Sequence, residues 1–256
     1  MGKAVEVTFS NGLTACAAKV HRLAELSAAL RELGLHRSKP ALVLVGGAGG
    51  LSDAESDRLG PLFVEVLAPL AEALGAAVVD GGTDAGVMRL MGRARAGIDA
   101  TFPLIGVAAI GTIALPGVPF SPPDAAPLEP HHSHFVLVPG SDWGDEAPWL
   151  ARVASALVNG APSVTVLVNG GGTAWDDVSQ SVEAGRPVIA IAGSGRTADK
   201  LAGTLRGEIT DERAKELSAS GLLQAVGSAP TFDALAGTLE ESLTPKKRSE
   251  VGNEPR

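Results

Sequence analysis

Four glycine-rich stretches carry the residue types that hold phosphate: Gly46-Gly47-Ala48-Gly49-Gly50, Asp80-Gly81-Gly82-Thr83-Asp84-Ala85-Gly86, Asn169-Gly170-Gly171-Gly172-Thr173 and Gly193-Ser194-Gly195-Arg196. Glycine lets a backbone come close to a ligand, and the open N–H groups at the start of a helix attract anionic oxygens. Each stretch taken singly reads equally well as a tight turn or a helix cap. Arg196, one turn before Lys200, is the cation best placed for a diphosphate, its alternative being a solvated surface arginine. Arg89 and Arg93 point either at a ligand or at water. Thr83, Thr173 and Ser194 offer hydroxyls to phosphate or cap their helices. Asp84 and Asp199 read as caps or first-turn acids, since a carboxylate beside phosphate would repel it. No stretch fits G-x-G-x-x-G followed by an acidic residue about 20 positions on, and none fits G-x-x-x-x-G-K-[ST]. A standard dinucleotide site and P-loop chemistry therefore find no support.

The run His131-His132-Ser133-His134 invites a metal reading. On a strand His132 and His134 would share one face, but no carboxylate is spaced as a third ligand. The pair reads as structural or ligand-contacting, and neither a metal nor a resident cofactor is expected. Glu146, after Trp143 and Gly144, is a first-turn acid or a site group; with Asp176 it is a candidate acid or base. Cys16 is placed on an apolar helix and given no catalytic role, and no Ser-His-Asp or Cys-His spacing suggests a nucleophile.

These residues must be positioned by the elements around them. Apolar runs at 41–45, 76–79, 104–109, 133–138, 163–168 and 188–191 each lead into a bend, most of them then into a stretch of helical period. This is the alternation of parallel strands and crossover helices. The runs ALVLV and SVTVLV show little alternation, as strands buried on both faces do. In such a sheet the four glycine bends emerge together at the carboxyl ends of the strands, where ligands of open α/β sheets bind. The expected fold is α/β: a Rossmann-like three-layer arrangement of a mostly parallel sheet with helices on both faces.

One domain is expected over residues 1–243. It includes an N-terminal layer over 1–35 with a strand at 4–9 and an amphipathic helix carrying Val20, Leu23, Leu30 and Leu33. A strand at 222–226 and a helix at 232–243 complete it, and 244–256 is a polar tail expected to be disordered. The long helix after the first glycine stretch is read with Pro61 in its first turn and a bend at Pro69. The connection 115–130 holds six prolines and is an irregular loop placed to close over a ligand.

The chain has 256 residues, 45% of them hydrophobic, and a formal net charge of −8, which argues against binding duplex nucleic acid. One cysteine forms no internal disulfide and suits a reducing compartment. There is no apolar leader and no run of the roughly 20 apolar residues a bilayer span needs. The expectation is a cytoplasmic protein without a membrane partner.

Taken in order, LVLVGGAGG, VDGGTDAGVMRLMG, HSHFVLVPG with WGDE after it, VTVLVNGGGT and PVIAIAGSGRTADKLA resemble the SLOG domain at the N-terminus of melastatin-type TRP channels, in its free-standing prokaryotic version. The same superfamily holds the LOG or lysine decarboxylase-like phosphoribohydrolases and DprA. The likeness spans residues 41 to about 202. It implies a Rossmann-like sheet with a pocket for a nucleotide ligand, ADP-ribose and related NAD metabolites leading, and a sensing role in stress or conflict signalling, with output through a homo-oligomer or a separate effector. Gly81, Gly82, Thr83 and Gly86 match the family's second-strand turn, and Gly193, Ser194, Gly195, Arg196 and Asp199 its last. His132, Ser133, His134 and Phe135 match its His-Ser-His-Phe strand, and Glu146 its glutamate after a glycine. The hydrolytic relatives carry P-G-G-x-G-T-x-x-E, the glutamate implicated in cleaving an N-glycosidic bond. Here Asn169 replaces the proline, the glycines are one residue shorter, and Asp176 sits three after Thr173. Binding is therefore favoured over hydrolysis, with N-glycosidic cleavage as the alternative.

Overall fold

The computed structural model describes residues 3–119, 122–209, 211–227 and 233–245. The chain opens with a hairpin, β1 (Val5–Thr8) and β2 (Thr14–Lys19), and a short helix α1 (Leu26–Glu32). It then alternates through β3 (Ala41–Gly46), α2 (Asp53–Pro61), a π-helical turn Leu62–Leu67, α3 (Ala68–Ala73), β4 (Ala77–Asp80), α4 (Gly86–Gly97) and β5 (Leu104–Ala109). Two-residue strands β6 (Ile113–Ala114) and β7 (Ala126–Pro127) lie in the connection to β8 (His134–Val138). After these come α5 (Ala147–Val158), β9 (Ser163–Val168), α6 (Ala174–Glu183), β10 (Val188–Ala192), α7 (Arg196–Leu205), α8 (Glu212–Ser218), β11 (Leu223–Gly227) and α9 (Asp233–Leu243).

Nine strands form one sheet in the order β1-β2-β8-β5-β4-β3-β9-β10-β11. Only β1 and β2 run antiparallel; the other neighbours are parallel. The chain winds outward from β3 through β4 and β5 to β8, then returns to the other side of β3 as β9. This switch places the β3 and β9 loops side by side at the carboxyl edge, the crevice of a doubly wound sheet.

The two faces are covered separately. Val43, Val45, Val79, Ile105 and Val107 point to a layer of α1, α5, α6, α7 and α8, among them Leu30, Leu150, Val153, Val178 and Leu201. Leu42, Leu44, Val78, Leu104, Val166 and Ile189 point to the other layer, met by Leu59, Phe63, Leu67, Met91 and Leu239. Burying each such side chain contributes about 1.5–3 kcal/mol relative to exposure. The expected three-layer fold is what the structure shows.

Several expectations need correction. Cys16 lies exposed on β2, not on a helix. The run Thr-Ala-Cys-Ala-Ala-Lys has weak strand propensity, but it is clamped by β1 on one side and β8 on the other, and tertiary pairing overrides propensity. Val20 follows that strand, Leu23 sits in a single 3₁₀ turn, and the helix proper begins at Leu26. Pro61 is in the last turn of α2, not its first: Ser52 caps the helix ahead of Asp53 through a reciprocal capping box with Glu55. Pro69, which lacks an N–H, then follows the π-helical turn, so the rod changes its hydrogen-bond register between two prolines. Over its described length the proline-rich connection is tied to the β4 loop, the Asp84 N–H donating to Pro127 O at 2.8 Å. Ile113 and Leu128 are buried with Phe9, Ala108, Phe135 and Leu137 on the part of the sheet that no helix covers. The expected start of the last helix at 232, and the tail beyond 245, fall outside the described residues.

Candidate functional site

At the carboxyl edge the loops after β3, β4, β5, β8 and β9 enclose a narrow cavity of about 60 Å³. Its floor is apolar, made by Leu44, Val45, Val87, Ala108 and Leu150; its rim carries Gly46, Gly81, Thr83, Thr112, Trp143, Glu146, Thr173 and Asp177. The loops meet because small residues allow it. Gly86, at φ 47°, lies so close to the Gly47 carbonyl that no Cβ fits, and the Val87 N–H donates to that same oxygen at 2.9 Å. A Cβ on Gly144 would lie 3.5 Å from Thr173, so the β8 loop rests on the β9 loop.

Glu146 and Asp177 are the acidic groups of this cavity, and no basic side chain lines it. Burial raises the Glu146 carboxyl above its ordinary range, against N–H bonds from its own backbone and from Gly144. Burial, then the charges of Glu146 and Asp176, push Asp177 up to about 8. Two carboxyls in one pocket, both raised by burial and one of them raised further by the charge of the other, are the arrangement expected of acid–base or hydroxyl-binding groups.

Asp176, the sequence candidate, lies elsewhere: it is exposed and paired with Arg213 of α8, whose guanidinium also lies 5.4 Å from the Trp175 ring centroid. The inward stripe of α6 runs Ala174, Asp177, Val178, Ser181, at spacings of three and four. Counted from the strand end at Asn169 rather than from Thr173, Asp177 takes the place of the glutamate in P-G-G-x-G-T-x-x-E.

A second part of the edge carries a cation and open backbone N–H groups. The Arg196 residue, at φ 49°, lays its guanidinium across the β3 and β9 loops. A Cβ on Gly50 would fall 2.6 Å from Nη1, and one on Gly171 3.3 Å from Nη2. Among the described residues this guanidinium has no acidic or hydrogen-bond partner. Around it, the N–H groups of Ala48, Gly49, Gly50, Gly170, Gly171, Gly172 and Thr173 meet no protein acceptor among the described residues. One acid stands close by: Glu55, held below its ordinary value by Ser52, accepts from Asn169 Nδ2 at 3.3 Å.

Other expected site residues are spent within the protein. Gly47 N–H donates to Val168 O at 3.1 Å, Gly82 N–H to Asp80 at 2.7 Å, and Gly193 N–H to Asp199 at 2.6 Å. Ser194 is buried, its hydroxyl donating to Ile191 O and accepting from Asn169 N–H. Thr83 Oγ1 is directed at Met88 Sδ. Arg89 is held by Asp84 at 2.6 Å, so Asp84 is an ion-pair partner and no cap. Gly195, at φ 109°, lets the chain turn into α7 beside Arg196.

The histidines do not share a face or reach the cavity. Strand β8 begins at His134, whose Nδ1 lies 2.8 Å from Ser133 Oγ. His132 precedes the strand, stacks on Phe135 with centroids 5.4 Å apart, and is fully buried between Asp80 and Glu129, each at 2.8 Å. Burial would lower this imidazole, but the two carboxylates outweigh it and lift it to about 9. The carboxylates the sequence reading did not find are three residues upstream and on another strand. No group of three or more His, Cys, Asp or Glu among the described residues is arranged to hold a metal. Sequence reasoning also missed Asp177, Thr112, Trp143 and Asn169, whose Nδ2 ties the β9 loop to Ser194 O at 2.9 Å. Only Asp177 carried a signal, its place on the apolar stripe of α6.

A twisted parallel sheet with glycine bends and helix starts gathered at one switch point defines a Rossmann-like domain. The chain belongs to the family described as SLOG in TRPM, prokaryote, whose model matches residues 39–236. It is similar to a Nematostella vectensis protein named transient receptor potential cation channel subfamily M member-like 2, at 28% identity over 196 residues. That match takes in 62% of this chain and 13% of the channel protein's length. Among solved structures it is similar to the X-ray structure of TM1055, a structural-genomics target, with a TM-score of 0.53 at 21% identity, covering 79% of this chain and 99% of that one. This second likeness is one of fold. No helix among the described residues is long and apolar enough to cross a membrane.

Proposed function

We propose that this edge binds a nucleotide-derived ligand of the ADP-ribose or NAD class and that the domain acts as a sensor, passing the signal on through self-assembly or a separate effector protein. The observation that supports the reading is Arg196, which among the described residues has no partner and lies across two loops whose N–H groups likewise meet no acceptor there. A diphosphate would take charge-assisted hydrogen bonds from the guanidinium and the loop amides, while Glu146 and Asp177 accept from ribose hydroxyls. Calorimetry with ADP-ribose, NAD+ and AMP tests this. Binding in the micromolar range by at least one, weakened in Arg196→Ala, is expected. Failure of every ligand below millimolar, with Arg196→Ala indistinguishable from wild type, overturns it.

The carboxyl pair favours a second reading, hydrolysis of an N-glycosidic bond in the same ligand. Asp177, protonated near neutral pH, would donate to the leaving group, and Glu146 would direct water. Release of free base, abolished in Asp177→Asn and retained in Asp176→Asn, is the expected result. Intact substrate after prolonged incubation rules this reading out.

A further inference from the structure

The nucleotide reading leaves one feature of the cavity unexplained. Of the three tryptophans, Trp175 is buried under Arg213 and Trp149 packs against the core. Trp143 is 46% exposed, on the loop between β8 and α5, and forms the cavity wall next to Glu146, Thr112 and Thr173. Its indole N–H has no protein acceptor among the described residues, and no aromatic ring stacks on it. Ile110, in the neighbouring loop, is also 37% exposed.

An open aromatic face stands beside two carboxyls, with no lysine, arginine or histidine in the lining to stabilise their ionised forms. A neutral base would gain stacking there, but it would leave the acidic pair uncompensated. A planar cation would gain from the ring quadrupole and would favour the ionised pair, Asp177 releasing to solvent the proton it holds near neutral pH. The β9 loop, with Arg196 against Gly171 and open N–H groups along 170–173, runs into the cavity wall at Thr173, so the edge is complementary to a ligand that is anionic at one end and cationic at the other. We infer that Trp143, with Glu146 and Asp177, forms a subsite for a cationic heteroaromatic ring, the pyridinium of an oxidised nicotinamide dinucleotide. The inference rests on the nucleotide-binding reading and names, within it, the ligand end that this cavity takes.

NAD+ and NADH differ at this ring by one charge and its aromaticity, and ADP-ribose lacks the ring. Titration calorimetry of the wild-type protein with all three should show NAD+ bound about 10-fold more tightly than NADH or ADP-ribose. In Trp143→Ala the preference should fall to within about twofold while ADP-ribose affinity stays unchanged, and Trp143→Phe should keep most of the preference. Asp177→Asn should reduce the preference as well. The variants alter an exposed ring and a cavity carboxyl, and their melting temperatures without ligand report that they are folded. NADH or ADP-ribose binding as tightly as NAD+ overturns the inference and leaves the nucleotide reading standing, as does a Trp143→Ala loss of equal size for all three. If the wild-type protein binds none of them, the nucleotide reading and the inference fall together.

Discussion

A buried group of carboxyls and a half-buried pair lie within this domain, and only the first is met by a cationic partner. Asp80 and Glu129 hold His132 between them at 2.8 Å on each side, these three being buried beneath the turn at Gly82, and Glu129 also takes the partly exposed His131. Glu146 and Asp177 share a cavity that is open to ligand and contains no cation. A balanced cluster lowers the cost of burial and holds β4, the loop before β8 and the glycine turn in register. An unbalanced pair is unfavourable on its own, and that imbalance is available to a ligand that brings hydroxyls, protons or positive charge. Charge pairing, more than burial, separates the structural cluster from the candidate site.

The comparison breaks most visibly at His132. Replacing it with glutamine leaves buried Asp80 without its cation and Glu129 with His131 alone, and chemical denaturation near pH 6 should show a loss of about 3–5 kcal/mol. Because the imidazole's folded value, about 9, lies above its ordinary 6.5, its stabilisation is fully present below about 6.5 and is lost as pH rises through 9. The gap between wild type and His132→Gln should therefore narrow over that window. A loss under about 1 kcal/mol would remove the structural role from the cluster.

At the other region the effects should appear in binding. Arg196→Ala removes charge-assisted bonds of about 1.5–3 kcal/mol, so affinity for ADP-ribose should drop about 10- to 100-fold, with the melting temperature of the free protein unmoved. Asp177→Asn should act in the opposite sense to His132→Gln on stability. A carboxyl raised in the fold from 3.8 to about 8 keeps its proton while the unfolded chain loses it, so wild-type stability falls as pH rises across that window. The variant escapes this penalty, and its melting temperature should exceed that of wild type by a margin that grows from about pH 4 to 8. The smallest effect is expected for Asp176→Asn: an exposed pair with Arg213 is worth about 0.5 kcal/mol or less, with no change in ligand affinity. A large binding defect there would restore Asp176 to the site and displace Asp177.

The strands and the four glycine bends were legible because continuous runs such as Ala41–Val45 and Ser163–Val168 must be buried on both faces, and parallel strands send their following loops to one edge. Strand β2 was not, since alanine favours helix and only pairing with β1 and β8 makes 14–19 extended; the Asn11-Gly12 turn, at φ 83° for Gly12, was the available hairpin signal. Arg196 was legible from its place after Gly195. Asp177 was hidden by counting from Thr173 across a shortened glycine run, although the apolar stripe of α6 pointed to it. His132 was misplaced because its partners, Glu129 and Asp80, are joined to it only through the fold.

The most direct test is hydrogen–deuterium exchange of the protein with and without saturating NAD+ or ADP-ribose. The account predicts slowed exchange at 46–51, 140–146, 170–174 and 194–197, and no change at 129–134, where the histidine cluster is already closed. Protection centred on 129–134, with the four loops unaffected, would contradict it.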